Sequence, residues 1–122
     1  MMVFGFGRGI RLCATGVGSD GVYGSSRCKN FRIDEVINIG SEPTNKICLT
    51  AKGVDDLHAS IWCDGIKLFV KCLSIKGIYP SDKMRQPDAS RKVKVSEILE
   101  LKEREHIFIG AAEIFVDKFQ PA

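Results

Sequence analysis

The sequence predicts an all-β sandwich of two antiparallel or mixed sheets with long connecting loops. Three observations carry that expectation. Short runs rich in β-branched and aromatic residues recur along the chain, separated by Gly, Asp, Asn and Ser at intervals of roughly 8–12 residues, the spacing of sandwiches and barrels. Only one stretch has helical composition. Asp64-Gly65 lies between two apolar runs, and Asp-Gly tolerates the positive φ of a tight hairpin turn.

In chain order, the predicted strands fall at residues 3–6, 10–14, 35–39, 47–49, 59–63, 66–72, 77–79, 92–95, 106–109 and 113–119. Met2-Val3-Phe4-Gly5-Phe6 is an apolar strand expected to complete the sandwich or to pair with the edge of another chain, with Phe4 and Phe6 as interface candidates. Residues 16–30, rich in Gly and Ser, read as a long loop, as do residues 80–90 with Pro80 and Pro87. Residues 95–105 have helical composition, with Ser96 placed to cap a helical turn. A two-residue Asp64-Gly65 turn sets Ile61 opposite Leu68, Trp62 opposite Lys67 and Ser60 opposite Phe69. With Ile61 toward the core, Trp62 and Phe69 share the outer face, an aromatic pair suited to an interface.

Composition bounds the function. The 122 residues suit one domain spanning the chain, with 44% hydrophobic and 27% charged residues as in a globular protein. A net charge of +3 gives no argument for nucleic acid. The one basic cluster (Lys83, Arg85, Arg91, Lys92, Lys94) reads as a solvated loop, and Asp55, Asp56 and the acidic residues within 97–105 interrupt any uniform phosphate-binding surface. No apolar run approaches the ~20 residues needed to span a bilayer, and the opening residues lack a basic n-region and long apolar core, so neither membrane insertion nor secretion is expected. Five cysteines, at 13, 28, 48, 63 and 72, form an odd set without Cys-x-x-Cys spacing, which reads as small buried hydrophobes in a reducing compartment, cytosol or nucleus. Glycine-rich residues 5–9 lack the spacing of a nucleotide loop. Neither a cofactor, a metal, a small molecule nor a catalytic residue is implied, since the two histidines have no metal spacing and no nucleophile partner. His106 opens a strand and reads as partly exposed and without partners in sequence.

A set of ordered letters adds to this reading. Ile39-Gly40 is followed by Asn45, Ile47 and Leu49, then by His58-Ala59 and Ile61. Ser74, Gly77 and Tyr79 come next, and Leu101, Glu105, Ile107, Ile109 and Gly110 close the series. In this order and at these separations the chain resembles the forkhead-associated (FHA) family from about Val36 to Phe119, with Arg104 where the family has Gly. The resemblance implies an FHA-like β-sandwich and a non-catalytic interaction module. For residues 95–105 it implies a loop and a short strand. His58 would then be a buried bracket between loops.

The phosphothreonine-binding letters of that family are largely missing. The Arg position is Ser41, the phosphate-binding Ser is Asp55 followed by Asp56, the backbone-bracing Asn is Lys76 and the Thr is Ile78. Carboxylates repel a phosphate dianion, and Lys76 cannot reproduce an Arg fork. One lost charge-assisted contact costs ~1.5–3 kcal/mol, against about 8 kcal/mol in all for micromolar binding. Ordinary phosphothreonine binding is therefore not expected, although a non-standard pocket around Ser41, Asp55, Ser74 and Lys76 is the alternative. The resemblance further implies self-association as a homodimer, in the manner of damage-response mediators that lead with an FHA domain. It carries with it a nuclear setting and other protein partners through a longer chain.

Overall fold

The computed structural model describes residues 8–15 and 27–121. Among these residues ten strands form two five-stranded sheets. The first runs β2 (Arg27–Phe31), β1 (Gly9–Thr15), β10 (Ala112–Gln120), β9 (His106–Ile109), β7 (Tyr79–Pro80). The second runs β4 (Ile47–Cys48), β3 (Ile37–Gly40), β5 (Ala59–Cys63), β6 (Leu68–Cys72), β8 (Ile98–Leu101). Pairing is antiparallel except between β3 and β4. One 3₁₀ turn, Ala89–Arg91, is the only helix among the described residues, and none there is long enough to cross a membrane.

Period-two alternation builds the core, because successive strand side chains point to opposite faces. Ile10, Leu12 and Ala14 of β1 face Ile37, Ile39, Ile61, Leu68 and Val70 of the other sheet as one buried cluster, joined by Ile107, Ile109, Ile114 and Val116. A bulge leaves Asp117 unpaired, since Arg11 pairs with Lys118 and Leu12 with Val116. Asp117 points outward to Arg11 Nε at 3.3 Å and Arg104 Nη1 at 3.4 Å.

Several expectations are corrected. Residues 95–105 hold no helix: Ser96 takes φ 72°, outside the extended conformation of a helix cap, and its N–H donates to Cys72 O at 2.7 Å. Leu99 and Leu101 instead pair with Val70 and Leu68, so cross-strand burial overrides helical propensity. Of residues 16–30, expected as loop, 16–26 lie outside the described residues and 27–30 belong with Phe31 to β2, while residues 92–95 make only the isolated bridge Ile78↔Val93. The hairpin turn is centred on Gly65-Ile66. Asp64 N–H donates to Lys67 O at 3.1 Å, and Asp64 Oδ1 accepts from the amides of Ile66 (2.9 Å) and Lys67 (2.8 Å). Gly65, at φ 106°, is the only one of the two turn residues with positive φ, whereas a type I′ turn needs two. Trp62 therefore pairs with Phe69 rather than Lys67, and Ile61 with Val70. The partners move by two residues, so each side chain keeps its face.

The cysteines also divide. Cys72 is buried and Cys48 and Cys63 are half-buried, as small hydrophobes. Cys13 and Cys28 are bonded to each other, contrary to the expectation of five free thiols. The cause is register: β1 and β2 set the two residues directly opposite, which spacing along the chain does not reveal.

Candidate functional site

Three loops meet at one end of the sandwich, following β3, preceding β5 and following β6. Gly40 ends β3 against the loop before β5, where a Cβ would lie 2.0 Å from Asp56 O; only Gly fits. The approach is used for hydrogen bonds. Ser41 N–H donates to Asp55 O (2.9 Å), Glu42 N–H to Asp56 O (3.2 Å), and Asn45 Nδ2 to Asp56 O (2.7 Å) and Glu42 O (3.1 Å). His58 is fully buried between the second and third loops. Its Nδ1 accepts the Asp55 amide at 3.1 Å, which assigns the proton to Nε2 for donation to Gly77 O at 2.9 Å. Its backbone joins Ile39 O and Leu73 N, both at 2.8 Å. The ring spans 19 residues of sequence, as a bracket does.

The electrostatics of this face are closed on themselves. Asp55 accepts a hydrogen bond from the Ser74 hydroxyl through Oδ2 and an ion pair from Lys76 Nζ at 2.8 Å through Oδ1. The Lys76 bond, then the Ser74 bond, hold its carboxyl below the usual carboxylate range. Ser74 is itself buried and accepts the Lys76 amide at 3.0 Å, so one hydroxyl ties the second loop to the third. Ser41 Oγ donates to Asp56 Oδ1 at 3.3 Å. Ile78 lies wholly in the core, bridged to Val93, and offers nothing to the surface. Ser41, Asp55, His58, Ser74 and Lys76 thus come together, and Ile78 turns inward. The one lysine among these positions is paired with a carboxylate, which leaves the face poor in attraction for an anion.

Trp62 and Phe69 are half-buried cross-strand neighbours on the outer face of the second sheet, with ring centroids 5.8 Å apart. Exposed Val36 and Ile98 extend this apolar face, and Lys67 approaches Glu100 at 3.9 Å along its rim. Phe4 and Phe6 lie outside the described residues. No group of metal-ligating side chains is found among the described residues.

A second polar cluster, on the outer face of the first sheet, escaped the sequence reading. His106 is not partnerless. Its Nδ1 lies 2.6 Å from Glu113 Oε2, a close contact without hydrogen-bond alignment, and its ring stacks on Phe115 at 4.3 Å. Glu113 Oε1 also meets Arg85 Nη2 at 3.4 Å, and Arg104 covers the other aromatic contact at 5.0 Å from the Phe115 centroid. Alternation along β10 (Glu113, Phe115, Asp117) was the available signal; the partners come from strands and loops remote in sequence.

No family model matches the sequence, and no curated protein matches it either. Solved structures do. The solution structure of the FHA domain of an Arabidopsis thaliana hypothetical protein is 16% identical, with a TM-score of 0.70 over 93% of this chain and 86% of that one. An FHA domain from Chlamydia trachomatis is 16% identical, with a TM-score of 0.63 over 88% of this chain and 98% of that one. The MEK1 FHA domain in complex with a phosphothreonine peptide of HOP1 is 14% identical, with a TM-score of 0.61 over 88% of this chain and 97% of that one. Together with the two five-stranded sheets and the three converging loops, these likenesses make the fold of this chain that of the forkhead-associated domains.

Proposed function

We propose that residues 1–122 form a non-catalytic protein-interaction module that self-associates as a symmetric homodimer and does not read phosphothreonine in the ordinary way. The observation that carries this reading is Asp55: a carboxylate stands where the family places its phosphate-binding hydroxyl, and it already holds Ser74 and Lys76. An incoming phosphate dianion would have to displace that carboxylate from Lys76 and would find Ser41 in place of an arginine. The Trp62–Phe69 pair, flanked by Val36 and Ile98, supports a protein contact on the second sheet, because aromatic residues are enriched in interfaces. Twofold pairs are the commonest closed assemblies. The FHA likeness and the altered loop face support a longer, nuclear parent protein in damage or cell-cycle signalling.

Light scattering across concentration, on the wild type and on Trp62→Ala, tests the assembly. A dimer that Trp62→Ala dissociates is expected; a monomer at tens of micromolar would overturn the homodimer. The alternative is a phosphopeptide reader with a non-standard pocket, favoured by the half exposure of the Lys76 side chain. Saturable binding of a phosphothreonine peptide that Lys76→Met abolishes would establish that alternative.

A further inference from the structure

Among the described residues β2 lies at the edge of its sheet, and four of its five residues are exposed. Beyond the chain itself, its one covalent tie among the described residues is Cys13–Cys28. The two sulfurs stand in different surroundings. Cys28 is exposed, so an incoming thiolate can reach it. Cys13 is 9% exposed and lines a cavity of about 340 Å³ with Thr15, Arg85, Arg104, His106 and Glu113. Phe115, the direct cross-strand neighbour of Cys13, carries the Arg104 guanidinium over its ring. Cationic side chains beside a sulfur favour the thiolate. Glu113 and Asp117 offset part of this charge through Arg85 and Arg104, and Arg11 shares Asp117.

We propose that Cys13–Cys28 is an exchangeable disulfide, opened by low-molecular-weight thiols that carry carboxylates, with Cys28 taking the attack and Cys13 leaving into the arginine-lined cavity. In the first step the thiolate sulfur bonds Cys28 Sγ, the Sγ–Sγ bond breaks, and its electron pair stays on Cys13 as a thiolate. A second thiolate attacks the small-molecule sulfur of the mixed disulfide and releases Cys28 as a thiolate, which takes a proton from water. The protein bond gains two electrons, and two thiols are oxidised to one small disulfide. A leaving thiol of lower pKa departs faster, so Arg85 and Arg104 set the rate of the first step. Opening removes the staple between β2 and β1 and allows the edge of β1 to be bared.

The test uses the oxidised full chain, with glutathione as the charged probe and 2-mercaptoethanol as the uncharged one. The reaction is stopped with iodoacetamide and mapped by peptide mass spectrometry, which separates Cys13 and Cys28 from the three other cysteines. Mixed disulfide on Cys28 and alkylation on Cys13 are expected. Arg85→Gln and Arg104→Gln should each slow the first step, because a less acidic thiol leaves more slowly, and glutathione should lose more than 2-mercaptoethanol. Arg104→Lys, which keeps the charge, should restore most of the rate and separates chemistry from any loss of folding. Arg91→Gln, whose side chain does not line the Cys13 cavity although it shares a neighbouring one with Arg85 and Arg104, should change nothing. The proposal is overturned if the adduct sits on Cys13, if neither glutamine variant slows the exchange, or if the bond opens only under denaturant.

Discussion

Replacing His58 with Ala measures how much of the loop face is held by one ring. The imidazole is fully buried and makes two bonds, to the Asp55 amide at 3.1 Å and the Gly77 carbonyl at 2.9 Å. Truncation leaves both backbone groups unpaired, at ~1–3 kcal/mol each, and opens a void the size of a ring. A loss of about 3–5 kcal/mol follows, a large share of the ~5–15 kcal/mol by which domains of this kind are stable. With an unfolding entropy of ~2.1 cal/mol/K per residue, the melting temperature should fall by roughly 10–20 °C. Urea unfolding of His58→Ala beside His106→Ala gives the comparison, since His106 is only half-buried and its contact with Glu113 is poorly aligned for a hydrogen bond. Faster hydrogen exchange at the Asp55 amide should accompany the loss. If His58→Ala costs less than about 1 kcal/mol, or no more than His106→Ala, the ring is not the bracket between these loops.

Three further outcomes are expected. Gly40→Ala should destabilise by more than 2 kcal/mol on the order of an overpacked core site, because its Cβ meets Asp56 O at 2.0 Å, while Gly65→Ala, with no atom within 4 Å, bears only the strain of its positive φ; urea midpoints rank the two. Asp55 has a folded pKa below its unfolded value of about 3.9, so its stabilisation is complete above that pH and is lost as pH falls through the lower folded value. Asp55→Asn should therefore flatten the acid limb of a stability–pH profile, as should Asp64→Asn, whose carboxyl is held low by the amides of Lys67 and Ile66. The double variant Ser41→Arg, Asp55→Ser should tighten binding of a phosphothreonine peptide by at least tenfold, from one charge-assisted contact worth ~1.5–3 kcal/mol, as read by calorimetry.

Legibility in the sequence followed side-chain chemistry. β5 and β9 were placed to the residue, because Ala59-Ser60-Ile61-Trp62-Cys63 and His106-Ile107-Phe108-Ile109 alternate between core and surface within sharp boundaries. β2 was lost because Arg27-Cys28-Lys29-Asn30 buries nothing; its strand state comes from backbone pairing to β1. At β8 composition pointed to helix, because Glu and Leu favour it locally, while the family resemblance implied a short strand; pairing with β6 decides for the strand. The loop face was legible letter by letter, and its charge pattern was half legible. Asp55 was seen as an obstacle to phosphate and Lys76 as an inadequate substitute for the Arg fork, yet their mutual pairing depends on loop geometry that no spacing encodes. The disulfide and the His106–Glu113 contact required register, which the runs alone do not fix.

The pairing of β1 with β10 joins Gly9 to Gln120 and Thr15 to Glu113. During synthesis β1 must therefore wait for about 100 residues, several seconds at ~5–20 residues per second, before its principal partner exists. Until then Ile10, Leu12 and Ala14 have half of their sheet missing, and such transiently exposed apolar surface favours aggregation. Closure of so distant a pair is also the slow kind of folding step, on the order of milliseconds to seconds. Conversely, unzipping this one ladder strips the first sheet of its centre, so the two ends of the chain set the kinetic lifetime of the whole sandwich.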